Sequence, residues 1–136
     1  MNALPDRYRD AVRFAFGDSP ALADDLLALV LSGAKTATCM PLRAVDPDTP
    51  MPEIGRRDVV LDEAGRPAAV IETTSVEILR FRDVPEDFAL AEGEGDYAAW
   101  RDGHIAYFTR NGGFDPEMAL VCERFRLIEA LPREGA

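Results

Sequence analysis

Glu92-Gly93-Glu94-Gly95-Asp96-Tyr97-Ala98-Ala99-Trp100-Arg101-Asp102-Gly103-His104 is the stretch on which the fold of this chain turns. Three carboxylates fall within five residues, interleaved with two glycines, and the only tryptophan, an arginine and the only histidine follow. Glycine reaches backbone dihedrals closed to other residues, so the acidic half predicts a tight turn. Asp96 stands where a side chain caps the first amides of a helix. Trp100, His104 and Phe108 then recur every four residues, which places them on one helical face. A loop that feeds directly into a helix can hold polar side chains in fixed positions, and such loops carry function more often than cores do.

Working back along the chain, Ser32-Gly33-Ala34-Lys35-Thr36-Ala37-Thr38 supplies a cation and three hydroxyls to match those carboxylates. It follows a strong helix signal. Asp18-Ser19-Pro20 offers a capping side chain and then proline at the first helical position, and Gly33 fits the left-handed residue that closes a helix. Leu22, Leu26, Leu29 and Val30 form the apolar stripe between them. An earlier helix is expected over about residues 6 to 16, with Tyr8, Val12, Ala15 and Phe16 near one face.

Beyond Lys35 the pattern changes to extended pieces: Thr36 to Met40, Asp58 to Asp62, Ala68 to Phe81 and Met118 to Ile128. Asp62-Glu63-Ala64-Gly65-Arg66 joins the middle pair as a hairpin turn, and the third piece is long enough to need a bulge or a bend. The last alternates Val121, Glu123, Phe125 and Leu127 against Cys122, Arg124, Arg126 and Ile128. Pro47, Pro50 and Pro52 make residues 44 to 54 a loop. Helices first, strands through the middle, a helix after Asp96 and a final strand describe an α+β domain. A small, strongly bent β-barrel flanked by helices closes such a sheet.

The 136 residues form one domain, with a globular region over about residues 14 to 128 and a short tail at 129 to 136. Apolar residues make up 47% and charged residues 29%, an ordinary soluble balance that disfavours disorder. Leu26 to Leu31 is the longest apolar run, far short of the ~20 residues of a membrane helix, and the N-terminus lacks a basic region followed by an apolar one. The cytoplasm is the expected compartment. There Cys39 and Cys122, far apart in sequence, are expected as reduced thiols. A net charge of −10 opposes broad binding to a phosphate backbone, so extensive duplex binding is not expected and any nucleic-acid contact must be local.

Several side chains read two ways. Lys35 suits a solvated position at a helix end, where the dipole favours a cation, and equally a site facing the acidic loop. In a regular strand Lys35 and Thr38 would point to opposite faces, so they share a cleft only if the backbone turns between them. Glu92, Glu94 and Asp96 lack an EF-hand spacing and the chain has no second histidine, which argues against a metal. His104 reads as a hydrogen-bonded partner within the core or as a proton carrier. Arg101 would pair with Glu92 or Glu94, or bind a phosphate or carboxylate with two donors. Tyr97, Tyr107 and Phe114 are faces on which a base could stack.

The Gly-x-Lys-x-x-Thr of Gly33, Lys35 and Thr38, the Glu-Gly-Glu-Gly-Asp of 92 to 96, the Trp-Arg-x-x-His of 100 to 104 and the closing Glu-Arg-Phe resemble the ASCH family. That resemblance implies a PUA-like barrel and an association with RNA. Some small ASCH proteins are amidohydrolases of 4-acetylcytidine that use a lysine, a threonine and a glutamate, and by resemblance those roles fall on Lys35, Thr38 and Glu92. Thr38 would attack the amide, Lys35 would take its proton, and Glu92 would orient Lys35 or the substrate's amine. Thr36, Glu94, Tyr97, Arg101 and His104 are the candidates for substrate binding. No cofactor and no metal are implied. The alternatives are a ribonuclease acting on single-stranded RNA and a non-catalytic RNA-binding module, so the expected partner is a modified nucleoside or single-stranded RNA. A barrel edge could support a homodimer. In one departure, Cys39, Met40, Pro41 and Leu42 follow Thr38 where the family carries an arginine, and Arg43 comes late.

Overall fold

Helix α1 (Pro20–Ser32) is fixed at both ends by the residues that predict it. The Ser19 hydroxyl accepts from the Leu22 amide at 3.2 Å, Pro20 occupies the first turn, and Gly33 takes φ +85° to close the helix. Ala23, Leu26, Leu27 and Val30 are its buried face. Leu26, Leu27 and Val30 pack with Phe16, Val60, Ile71 and Phe125. The computed structural model describes residues 4–133.

The strands are β1 (Arg13–Phe14), β2 (Ala37–Pro41), β3 (Arg57–Leu61), β4 (Pro67–Arg80) and β5 (Ala119–Ala130). They form one sheet in the order β1-β3-β4-β5-β2, in which β1 runs parallel to β3 and the other pairs are antiparallel. The long strand bends as its length requires. The β4–β5 register slips between Val70 and Ile71 and again between Thr73 and Ser75, each irregularity adding local twist. The bend gives the sheet separate apolar packings. One lies against α1; a second groups Tyr8, Val59, Val70 and Leu131; a third groups Ala37, Leu120 and Cys122 with Phe81, Phe88, Trp100 and Phe108. The last carries the short helix α2 (Glu86–Ala91) and helix α3 (Tyr97–Arg110).

The α+β class and the bent sheet agree with the sequence. The sheet is not closed into a full barrel: β1 and β2 stand at opposite edges, and no ladder joins them among the described residues. The helix expected over residues 6 to 16 is replaced by a 3₁₀ turn (Asp6–Tyr8) and by β1. The Val59 amide donates to the Val12 carbonyl at 2.8 Å, so the edge of the sheet captures a segment whose apolar spacing also suited a helix. At the other end β5 reaches Ala130 and Leu131 is buried, so the final strand occupies the first residues assigned to a tail. Among the described residues no helix is long and apolar enough to cross a membrane.

Candidate functional site

The two polar stretches meet backbone to backbone. The Thr36 amide donates to the Ala91 carbonyl at 2.7 Å, and Gly93 lies so close to Ala34 that a Cβ there would sit 2.7 Å from its carbonyl oxygen. Gly93 also takes φ +80°. Glycine is therefore required twice over, for dihedral and for space. Glu92 itself ends α2, which sequence periodicity did not reveal, and that helix end aims its carboxylate at Lys35.

Lys35 lies before β2, with its amide bonded to the Leu29 carbonyl of α1 at 3.0 Å. Its side chain doubles along the start of β2. Nζ donates to the Ala37 carbonyl at 2.8 Å and to Glu92 Oε1 at 3.1 Å, lies 3.9 Å from Glu94 Oε2, and sits 5.2 Å from the centre of the Phe16 ring. Because Lys35 is outside the ladder, strand alternation does not separate it from Thr38. Both line a cavity of about 620 Å³ beside the edge strand β2, walled also by segment 12–17, the loop at 48–52 and α3.

Glu92 is saturated with donors. Its Oε2 accepts from Trp100 Nε1 at 2.8 Å and lies 3.6 Å from His104 Nε2. Burial alone would push this carboxyl up, but the Lys35 charge, His104 and Trp100 outweigh it and hold the group at about 2. It is a fixed carboxylate. His104 Nδ1 lies 2.8 Å from the Trp100 carbonyl oxygen, which only accepts, so Nδ1 carries the proton; the ring stacks on Trp100 at 4.6 Å. Burial lowers the His104 pKa, yet Glu92 raises it more, with a net shift upward. Glu94 is raised as well, by burial and by the Glu92 charge against the pull of Lys35 and His104.

The opposite wall has its own polar group, unremarked in the sequence reading. Thr38 faces Glu123 across the β2–β5 ladder, and both line the cavity. Glu123 Oε2 accepts from the Thr73 hydroxyl at 2.7 Å, while Arg56 forks onto Asp58 at 2.7 and 3.0 Å. Burial, helped by the Asp58 charge, lifts the Glu123 carboxyl above its ordinary value. Among the described residues the Thr38 hydroxyl makes no hydrogen bond. The signal for Glu123 was present in the alternation of the last strand, where it is the one charged residue in the register of Val121, Phe125 and Leu127.

Lys35, Thr38, Glu92, Glu94 and His104 are thus brought together. Thr36, Tyr97 and Arg101 do not line the cavity. The Thr36 side chain is exposed with its hydroxyl 3.5 Å from the Ala91 carbonyl, Tyr97 donates to the Val84 carbonyl at 3.1 Å, and Arg101 is exposed beside Asp102. Arg43, which comes late for the family motif, donates instead to the carbonyls of Asn111 and Gly113.

Cys39, Glu92 and His104 bring one ligand atom each within 4.8 Å of one another, the spacing of a metal site. The donor set does not suit a cation. Glu92 is already neutralised by Lys35, and burial, with Glu92 beside it, pushes the Cys39 thiol well above its ordinary value, whereas metal binding needs the thiolate.

The family model of the ASCH domain matches residues 12–129. Solved structures agree. The crystal structure of protein EF3133 from Enterococcus faecalis V583 is 34% identical and superposes with a TM-score of 0.79, covering 93% of this chain and 85% of that one. The ASCH domain from Lactobacillus crispatus JV V101 is 30% identical with a TM-score of 0.78, covering 90% and 82%. No curated protein matches. Sequence match, bent sheet and close structural relatives together establish that the chain belongs to the ASCH domain family of the PUA-like superfamily.

Proposed function

We propose that this ASCH domain is a metal-independent hydrolase of a small acylated nucleoside of the 4-acetylcytidine type. The observation that carries the reading is the buried Lys35–Glu92 ion pair at the wall of a cavity that also holds Thr38, Glu94 and Glu123. A cavity of this volume fits a single nucleoside, since small-ligand sites span roughly 300–1,000 Å³. The body's charge of −10 favours an uncharged nucleoside over a polyanion.

The ion pair favours a different task for Lys35 than proton acceptance. As an ammonium it stabilises the oxyanion that forms when the Thr38 hydroxyl attacks the acyl carbon. The Thr38 proton passes to Glu123, which faces it across the ladder and whose raised pKa makes it the stronger base. The carbon–nitrogen bond then breaks, and Glu94, whose raised pKa favours its acid form, donates a proton to the leaving amine. Water hydrolyses the resulting threonyl ester, which restores the hydroxyl and releases the acid. Glu92 holds Lys35 in place throughout.

The ribonuclease and the non-catalytic binder are weaker readings on the same geometry. The single histidine turns Nδ1 to the Trp100 carbonyl and holds Nε2 3.6 Å from the Glu92 carboxylate, an arrangement that favours a positioning role over in-line proton transfer at phosphate. The test is incubation of the purified protein with 4-acetylcytidine and, separately, with a short single-stranded RNA, beside Lys35→Ala. Lys35-dependent cytidine release is expected. RNA fragments instead, or saturable RNA binding without any product, would replace this reading by one of the other two.

A further inference from the structure

Cys39 and Cys122, distant in sequence, are direct partners in the β2–β5 ladder. The kind of pair they form follows from the register. The Phe125 amide donates to the Thr36 carbonyl at 3.0 Å, which makes 36/125 a hydrogen-bonded position. Hydrogen-bonded and non-hydrogen-bonded positions alternate along an antiparallel ladder, so three steps on, Cys39/Cys122 is a non-hydrogen-bonded pair. At such positions the Cα atoms lie about 4.5 Å apart and the side chains approach more closely than at their neighbours. Opposed residues project from the same face, and here both cysteines pack in the apolar cluster beneath α3.

We propose that Cys39 and Cys122 are a modification site, closing under oxidation into a reversible cross-strand disulfide that ties the edge strand β2 to β5. A bridge needs Cα atoms roughly 4.4–6.8 Å apart, so this pair is within range at the tight end, where strain makes a bridge easily reduced. The two are free thiols in the resting protein. Their roles differ by access. Cys39 is half-buried and lines the cavity, whereas Cys122 is buried at 3% exposure.

With a hydroperoxide as oxidant, the Cys39 thiolate attacks the O–O bond and becomes a sulfenic acid as the first water leaves. The Cys122 thiolate then attacks Cys39 Sγ, forms the S–S bond and expels the sulfenic oxygen as a second water. Two thiols lose two electrons and two protons, and one peroxide is reduced to two waters. Burial holds both thiols above the ordinary cysteine value, Cys122 at about 12, so closure is slow in neutral buffer and quickens as pH rises. The ladder register carries the proposal independently of any reaction in the cavity.

The experiment treats the full chain with hydrogen peroxide in alkaline buffer, denatures it, alkylates remaining thiols with a maleimide, and reads intact mass and linked peptides. Both thiols should disappear together, with the loss of two hydrogens and a crosslink joining the Cys39 and Cys122 peptides, all reversed by dithiothreitol. Cys122→Ala should stop at an oxygen adduct on Cys39; if that variant does not fold, Cys39→Ala serves as the control and should keep its remaining thiol. Sulfinic acid on Cys39 of the unaltered protein without crosslink, a bridge between two chains, or two thiols surviving exhaustive treatment would each overturn the proposal.

Discussion

The Lys35 ammonium nitrogen lies 3.1 Å from Glu92 Oε1, with each side chain 1% exposed. Removing two charges from water is expensive, and their attraction offsets the cost only while both are present. Lys35→Met should therefore destabilise the fold by about 3–5 kcal/mol, because Glu92 is left buried without its main counter-charge. The double change Lys35→Met with Glu92→Leu should recover most of that loss. Urea denaturation of the unaltered protein, Lys35→Met and the double variant checks it: a double variant as weak as Lys35→Met would mean that packing, and not charge, accounts for the loss.

Acid should expose the same pair. The Glu92 pKa is about 2 in the fold against an ordinary 4.5, so its contribution is full above 4.5 and is lost as pH falls toward 2. Glu92→Gln should remove this component from the acid limb of a plot of stability against pH. An unchanged slope in that variant would place the acid sensitivity elsewhere.

His104 carries the opposite sign. Its folded pKa is raised, so its contribution is present below the ordinary 6.5 and declines as pH climbs through the raised value. Trp100 is the only tryptophan and stacks on the imidazole, so its fluorescence should report the titration. We expect a midpoint above 6.5 that drops in Glu92→Gln. A midpoint indifferent to that change would show that the carboxylate does not set it.

For turnover of 4-acetylcytidine, Glu123→Gln should lower the rate by roughly 10²–10⁴-fold, the usual size of a lost proton-transfer partner, and Thr38→Val, which removes the nucleophile, by at least as much, both with circular dichroism unchanged. Thr38→Ser should keep part of the activity, since it keeps the hydroxyl. Full activity in Glu123→Gln would return the base to another group.

Gly93→Ala should cost about 1–3 kcal/mol, since it forces a side chain into a left-handed position against the Ala34 carbonyl. It should also impair turnover by moving Glu92 off Lys35. Gly103→Ala is the matched control. A Cβ there meets nothing within 4 Å, and alanine favours the helix interior by up to about 1 kcal/mol. Melting temperatures that move in the same direction for both would contradict the steric account.

What the sequence disclosed was local or periodic. Ser19, Pro20 and Gly33 marked α1 to the residue, and the four extended pieces are strands whose ends shift by only a residue or two. Asp96 caps α3 by accepting from the Ala99 amide at 2.8 Å, as its position before the helix suggested. The meeting of Lys35 with Glu92 was also legible, through the family resemblance. What escaped depended on distant partners. Residues 6 to 16 lost their helix to a ladder with β3, and α2 is six residues long, too short to show a period. Arg101 looked like a ligand because of its neighbours in sequence, yet its side of α3 faces water. Glu123 and the opposition of Cys39 to Cys122 needed the β2–β5 register, which no single segment encodes.

The order of the strands governs when the site can exist during synthesis. The ladder of β2 is with β5, the last strand to be made, although β2 itself is the second. While a nascent chain still lacks β5, the segment bearing Thr38 has no neighbour to pair with, and Glu123 has not yet emerged. The domain therefore cannot assemble its cavity strand by strand from the N-terminus. Translation must deliver β5 before the position between β4 and β2 is filled, and until then an unpaired edge of β4 is left to be shielded.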